Sequence, residues 1–381
     1  MFQLTQDQSS IREMVREFAE KEIRPLADEI DKTGRFPAES IAALAEMGIM
    51  GLNIPEEYGG AGMDEISKVL AISEIARCCA STAEIVAVHL LVNDIIVRKA
   101  SEAQKARILP MAVEGKLGAF ALTEPGAGSD AGGLRTKAVK DGDHYILNGA
   151  KCFISNLGPE EGNHFVVIAL TDPEKGTRGG MTAFLVERNT PGLSLGKTED
   201  KMGMRGAAVS ELILEDCRVP ETAIMSSVGD GFKIAMSGLD GGRIGIAAQA
   251  VGVAQGAFEE GVKYSKERVQ FGKPISANQG LQWYIADMAT RLEAARLLTL
   301  QAASKRQNRE PGVSRAASMA KYYAAESAGY ICDLALQLHG GYGYMKDYAI
   351  ERMYRDARIM RIYEGTSEVQ KIVIAKDVLK G

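Results

Sequence analysis

The chain has 381 residues, long enough to bury a large core in two or three domains. With 46% hydrophobic and 25% charged residues and a formal net charge of −5, it has a globular composition and no electrostatic case for nucleic acid or anionic lipid. Its five cysteines (Cys78, Cys79, Cys152, Cys217, Cys332) and four histidines are scattered, which argues against a disulfide framework or a metal site and suits a reducing cytoplasm.

The opening MFQLTQDQSSIREMVREF has neither the basic start nor the apolar run of a signal peptide. No uninterrupted apolar stretch approaches the roughly 20 residues that span a bilayer, so a cytoplasmic chain without membrane insertion is expected. From Ser10 to about Gly115 the pattern is helical: Ile11, Met14, Val15 and Phe18 repeat along one face, Pro37 opens a second helix, and a third runs from Met63 to about Ala80. From Gly118 to about Met225 short runs suited to strands take over: Ala119–Thr123, His144–Leu147, Lys151–Ser155, His164–Leu170, Thr182–Glu187 and Glu211–Glu215. Asp141-Gly142-Asp143 and Asn148-Gly149 read as turns between them, predicting an antiparallel barrel or sandwich. Beyond Gly231 long helices return, about Asn278 to Gln307 and Ser314 to about Leu338, as expected of an antiparallel bundle. The predicted class is α+β, with a helical domain over 1–117, a β-domain over 118–230 and a C-terminal four-helix domain over 231–381.

Four clusters could carry chemistry. Leu122-Thr123-Glu124-Pro125-Gly126-Ala127-Gly128-Ser129-Asp130 follows a strand and offers backbone N–H groups and hydroxyls to phosphates or a ring edge, or is simply a tight turn. No βαβ context surrounds it, so it is not a dinucleotide fingerprint. Arg268-Val269-Gln270-Phe271-Gly272 could pair its arginine with a phosphate, or be a solvated helix end. Gln337-Leu338-His339-Gly340-Gly341-Tyr342-Gly343-Tyr344 ends a helix, a role that explains its glycines but not Gln337 or His339. In Ile362-Tyr363-Glu364-Gly365-Thr366-Ser367-Glu368, Thr366 or Ser367 caps a final helix, Glu368 to Leu379. Glu364 just before it could merely complement the helix dipole.

Taken together, these clusters resemble the acyl-CoA dehydrogenase family along essentially the whole chain. Two long motifs, Ala121 to Gly133 and Gln337 to Asp356, stand in the family's order with the Arg-x-Gln-Phe-Gly and Tyr-Glu-Gly-Thr-Ser-Glu runs. The family fold, a helical domain, a β-domain and a four-helix domain, agrees with the texture above. The resemblance implies FAD as cofactor, an acyl-CoA substrate, an electron-transfer flavoprotein as electron acceptor, and a homotetramer. It places Phe120, Leu122, Thr123, Gly128 and Ser129 along the flavin and the start of the CoA chain. Phe153 and Ser155 fall beside the flavin ring, where many members have Trp and Thr. Arg268, Gln270, Phe271, Gln279, Gln337 and Gly341 match residues that reach the FAD of a neighbouring subunit, while Thr366 and Glu368 match contacts to the phosphate and adenosine portion of the cofactor. Asp240 and Arg243 match the CoA-side helix, and Gly365 lies on the substrate side of the base.

Glu364 matches the catalytic base, which removes the α-proton while the flavin accepts the β-hydride. Asp94, in an otherwise less polar helix of the family, could be a second carboxylate facing the acyl group, as in relatives acting on alicyclic acyl-CoAs, or could be solvated, paired or structural. A short-chain, branched or alicyclic acyl group is the expected substrate. The competing readings are an oxidase whose flavin is reoxidised by O₂, and a non-catalytic flavin-binding scaffold.

Overall fold

The computed structural model describes residues 3–158 and 162–380. Thr5 starts α1 (Gln6–Phe18) with a capping box, its hydroxyl accepting from the Gln8 N–H and the Gln8 side chain accepting from Thr5 N–H. Short helices α2 (Ala27–Thr33) and α3 (Ala38–Glu46) follow, the latter opening after Pro37 as the sequence predicts. Asp64 caps α4 (Glu65–Cys78), accepting from the Ser67 N–H at 2.7 Å. Two further helices, α5 (Ala80–Lys99) and α6 (Glu102–Val113), complete this segment.

By length and composition α5 could cross a membrane. It is instead buried along most of its length within the fold, and it carries Glu84, His89, Asn93 and Asp94 inside. A helix apolar on all sides has no 3.6-residue signature, so its sequence does not announce it.

Among the described residues seven strands form the middle: β1 (Leu117–Ala121), β2 (Lys137–Asp141), β3 (His144–Ser155), β4 (Gly162–Leu170), β5 (Met181–Glu187), β6 (Leu193–Thr198) and β7 (Val209–Pro220). Their order is β1-β4-β2-β3-β7-β6, with β5 also paired to β4. The sheet is not wholly antiparallel. β1 runs parallel to β4 from Leu117↔Gly162 to Ala121↔Val167, and β2 meets β4 in parallel at Lys137↔Leu170. The connection from β1 to β4 contains β2 and β3, which makes it long enough for a parallel crossover.

Asn148-Gly149 is not a turn. It lies inside β3, whose register against β7 slips between Leu147 and Gly149. A Cβ on Gly149 would stand 2.5 Å from Thr136 Oγ1, so glycine here admits a neighbouring chain instead of reversing its own.

The last segment holds α7 (Gly231–Glu267), a small hairpin β8 (Val269–Gln270) and β9 (Lys273–Pro274), then α8 (Gln279–Gln307), α9 (Val313–His339), α10 (Ala349–Ala357) and α11 (Ser367–Val378). Helices α7, α8, α9 and α11 pack as the expected bundle. Helix α4 also lies against α7: a Cβ on Gly252 would stand 2.2 Å from the Ser73 carbonyl oxygen. One continuous apolar core therefore joins the first and last segments, running from Val15 and Ile72 to Ile331 and Met360. A second core, including Leu91, Ile95, Val166 and Ile234, joins α5, α6 and the start of α7 to the sheet. The candidate site lies where α5, α7 and the end of β3 converge.

Candidate active site

The chain approaches α11 through two consecutive left-handed residues, Glu364 at φ 53° and Gly365 at φ 89°. For glutamate this conformation costs roughly 1–2 kcal/mol, so the surroundings must impose it. Gln370, itself buried, donates from Nε2 to the carbonyl oxygens of Glu364 (3.0 Å) and Gly365 (2.9 Å). Lys321 Nζ donates to the Gly365 carbonyl at 2.6 Å. Thr366 caps α11, its Oγ1 accepting from Val369 N–H at 3.3 Å, and the Tyr363 hydroxyl donates to Gln249 Oε1 at 2.5 Å. The backbone on both sides of Glu364 is thereby fixed.

Its carboxyl is left without such support. Glu364 Oε2 is fully covered and has no hydrogen-bond partner. It lies against α7 at a point only glycine allows: a Cβ on Gly242 would stand 2.5 Å from Oε2. Burial raises Glu364 from its ordinary value of 4.5 to about 7; Arg243 and Lys321 oppose that rise, and the Glu84 charge adds to it. A carboxyl poised near neutrality, with a bare oxygen facing inward, can take a proton from a bound molecule.

Glu84, on α5, is 3% exposed and accepts from Ser155 Oγ at 2.8 Å. Ser155 ends β3 two residues after Phe153, which has φ 56° and leaves 67% of its surface open. The Cys152 N–H donates to the Thr123 carbonyl at 3.0 Å, tying β3 to the glycine-rich loop. That loop is braced from within. Glu124 accepts from the Arg135 and Thr136 N–H groups (2.6 and 3.0 Å) and from Lys151 Nζ (2.8 Å), while Lys151 also donates to the Leu122 carbonyl (3.0 Å). Although burial works against it, the Glu124 carboxyl is held below its ordinary value by Lys151 and these donors. On the outer side, a Cβ on Gly126 or Gly128 would meet only open space. Thr123, Phe153, Ser155 and Glu84 thus connect the loop to the surroundings of Glu364, with Leu122 buried below and Phe120 and Ser129 at the edges.

A different set lines a second cleft of about 510 Å³: Arg268, Gln270, His339, Gly341, Tyr342 and neighbours. The Arg268 guanidinium lies 5.3 Å from the centre of the Tyr342 ring. Phe271 at φ 52° is 97% exposed, and Gln279, Gln337 and Glu368 are also exposed. A cation beside aromatic rings and side-chain-free backbone suits an anionic, aromatic ligand.

Asp240 is turned to its own neighbours, accepting from Arg243 at 2.9 Å and from Ser314 Oγ at 2.5 Å. The Asp94 carboxylate is taken up by ion pairs. It meets Arg306 at 2.5 Å and Arg98 at 2.7 Å on the wall of a polar cleft of about 600 Å³, where Arg306 also pairs with Glu65. Among the described residues no group of three or more His, Cys, Asp or Glu side chains could hold a metal ion.

Family models for the N-terminal, middle and C-terminal domains of acyl-CoA dehydrogenases match residues 5–116, 119–217 and 229–379. The chain belongs to the acyl-CoA dehydrogenase family. It is 50% identical over 382 residues to the acryloyl-CoA reductase (NADH) of Anaerotignum propionicum, covering 100% of this chain and 96% of the relative. It is 47% identical over 373 residues to the caffeyl-CoA reductase–Etf complex subunit CarC of Acetobacterium woodii, covering 97% of each. The solved structure of butyryl-CoA dehydrogenase from Megasphaera elsdenii superposes with a TM-score of 0.96 at 43% identity, covering 100% of both chains.

This member of the family is an FAD-dependent oxidoreductase, and its residues fit that cofactor. The braced loop with open glycines and the uncovered Phe153 ring suit a flat ring system, and the Arg268–Tyr342 cleft suits its anionic, adenosine-bearing end. Sequence reasoning missed Glu84, Lys321 and the role of Gly242. Only Glu84 left a signal, as an acid within an apolar run.

Proposed function

We propose that the chain oxidises an acyl-CoA thioester to the 2-enoyl-CoA, with Glu364 removing the α-proton. The observation that carries this reading is the covered, unpartnered Oε2 of Glu364 in a carboxyl raised to about 7. Bound FAD supplies the acceptor for the β-hydride. Arg243 and Lys321 stabilise the ionised base that must exist before proton transfer, and the left-handed turn at Glu364 and Gly365 aims it. Exclusion of water at Oε2 strengthens the pull on a weakly acidic C–H. Asp240 and Arg243 serve the CoA side, with Gly365 beside the reacting end of the thioester.

A short, branched or alicyclic acyl group is the proposed substrate, in keeping with the bulky side chains that pack on α7 beside the base. Leu91 packs beside Glu364 at Gly242, and one turn away Ile95 fills the space against Gly238. Arg268 and the exposed Gln270, Phe271, Gln279, Gln337 and Gly341 are assigned to the FAD of a neighbouring subunit in a homotetramer, and Thr366 and Glu368 to the phosphate and adenosine portions of the cofactor. An electron-transfer flavoprotein is the proposed acceptor, in a cytoplasmic setting; one relative is named as part of such a complex. Both of the relatives named above are reductases by name, and by microscopic reversibility Glu364 would return a proton to the α-carbon in that direction.

The test is anaerobic bleaching of flavin absorbance by butyryl-, isobutyryl-, cyclohexanecarboxyl-, glutaryl- and octanoyl-CoA. Fast bleaching by one of the first three, lost by several orders of magnitude in a flavin-loaded Glu364→Gln variant, is the expected result. A Glu364→Gln variant that still bleaches at the native rate would remove Glu364 from this role.

A further inference from the structure

Glu84 is an acid placed where an apolar helix would be expected to carry none. It is 3% exposed on α5, and among the described residues its one side-chain hydrogen bond is to Ser155, at 2.8 Å. Ser155 is the residue that carries β3 into the site, two positions beyond the open Phe153 ring. The groups acting on Glu84 are few: Ser155 from β3 and, more remotely, Lys201, whose ammonium is itself engaged by the Ala207 carbonyl at 2.7 Å. Glu84 in turn acts on Tyr363 and on Glu364, whose other charged neighbours are Arg243 from α7 and Lys321 from α9. A buried carboxyl from α5 and a carboxyl from the turn before α11 with one covered oxygen thus act on each other, and the first is tied by its hydrogen bond to the end of β3.

We propose that Glu84 is a positioning residue of the dehydrogenation site, its carboxyl setting the direction of the Ser155 hydroxyl and acting electrostatically on Glu364. The Ser155 hydroxyl has one hydrogen. When Glu84 is ionised, that hydrogen is drawn to Oε1 and Ser155 can only accept from a ligand beside it. When Glu84 holds a proton, it can donate to Ser155 Oγ and free the hydroxyl to donate. Burial raises Glu84 above the ordinary carboxylate value, which favours its protonated form more than in an exposed acid. The ionised form also opposes ionisation of Glu364, since like charges in one dry interior disfavour each other.

This inference rests on the reading of Glu364 as the base and of Ser155 as a neighbour of the flavin. It is tested on the FAD-loaded protein with Glu84→Gln, which keeps the shape and removes the charge. Two readouts are needed: the pH profile of anaerobic bleaching by the best acyl-CoA, and the midpoint potential of the bound FAD as a function of pH. Removing the Glu84 charge should let Glu364 ionise at lower pH, so the acid limb of the profile moves down. The native potential should change slope as Glu84 titrates, and both Glu84→Gln and Ser155→Ala should lose that change. A limb and a potential curve identical to native in Glu84→Gln would overturn the proposal. If Glu84→Gln fails to retain FAD, Ser155→Ala decides alone, and a native potential curve in that variant overturns the proposal. Glu364→Gln, run in parallel, separates the two ideas: native bleaching there sinks the base assignment whatever Glu84 does.

Discussion

Glu364, whose Oε2 is covered, and Asp94, which is buried, both lie beside α7, yet their surroundings drive them in opposite directions. Burial pushes each toward the neutral form. For Asp94, Arg306, Lys68 and Arg98 outweigh that effect and hold it at about 2, whereas for Glu364, Arg243 and Lys321 act without a hydrogen bond and leave it at about 7. Adjacent glycines mark the divide, with Arg306 packed on Gly241 and the Glu364 carboxyl on Gly242. Burial alone does not make a base. What makes one is burial with the partner charges kept at a distance.

The comparison breaks most forcefully at Arg306. Replacing it with Met leaves Asp94 and Glu65 buried with only Arg98 and Lys68 to answer them. Breaking a buried pair typically costs about 3–5 kcal/mol, and the remaining cations place this case near about 3 kcal/mol. Urea unfolding at pH 7 should show that loss, shrinking toward pH 4 as Asp94, freed from Arg306, takes up a proton. A loss independent of pH would mean that Arg306 matters for packing and not for charge.

A second experiment sets the two groups against each other through pH. The folded value of Glu364 lies above its ordinary 4.5, so its contribution to stability is complete below pH 4.5 and is lost as pH rises through about 7. Asp94 has the opposite sign: its contribution is present above 3.8 and is lost as pH falls toward about 2. At about 1.4 kcal/mol per pH unit, Glu364→Gln should gain about 2–3 kcal/mol on native protein between pH 4.5 and 8. Urea midpoints of the two proteins at those pH values measure it, and parallel curves would contradict the raised value.

How far the sequence foretold this site depends on which contacts are local. The cap at Thr366 and the apolar spacing of α8 and α9 are properties of neighbouring residues, and those helices appear within a residue or two of expectation. Helices α5 and α7 are buried on every side along their middle turns and give no periodic signal there, and β2, with one buried residue, lacks the alternating apolar face that marks a strand. The parallel pairing of β1 with β4 and the bulge at Gly149 depend on chains distant in sequence, so neither could be read from a short window. Glu364 itself was found through its motif. Its setting was not, because Gly242, Lys321 and Glu84 come from three separate helices.

Gly242→Ala tests whether α7 fixes the base. The added methyl would overlap Oε2 at 2.5 Å, and a glutamate tip can swing aside without unfolding anything. Alanine is also the better helix former by about 1 kcal/mol, so stability should hold or rise. A displacement of about 1 Å at a reacting group can cost about 100-fold, and bleaching by butyryl-CoA should fall by that order. Unchanged bleaching would mean that the base finds its geometry only when substrate is present.

The smallest effect concerns the turn that aims Glu364. Thr366 Oγ1 satisfies the Val369 N–H, one of the orphan donors at the start of α11, and so pins the residue two places after the base. Thr366→Ala should lower stability by about 1 kcal/mol, while Thr366→Ser, which keeps the hydroxyl, should stay close to native. If the cap only holds the helix, bleaching per bound flavin will be equal in all three proteins. If it also supports the left-handed conformation at Glu364, the Ala variant will bleach more slowly than its loss of stability explains, because Gln370 and Lys321 would then hold a turn whose far end is free.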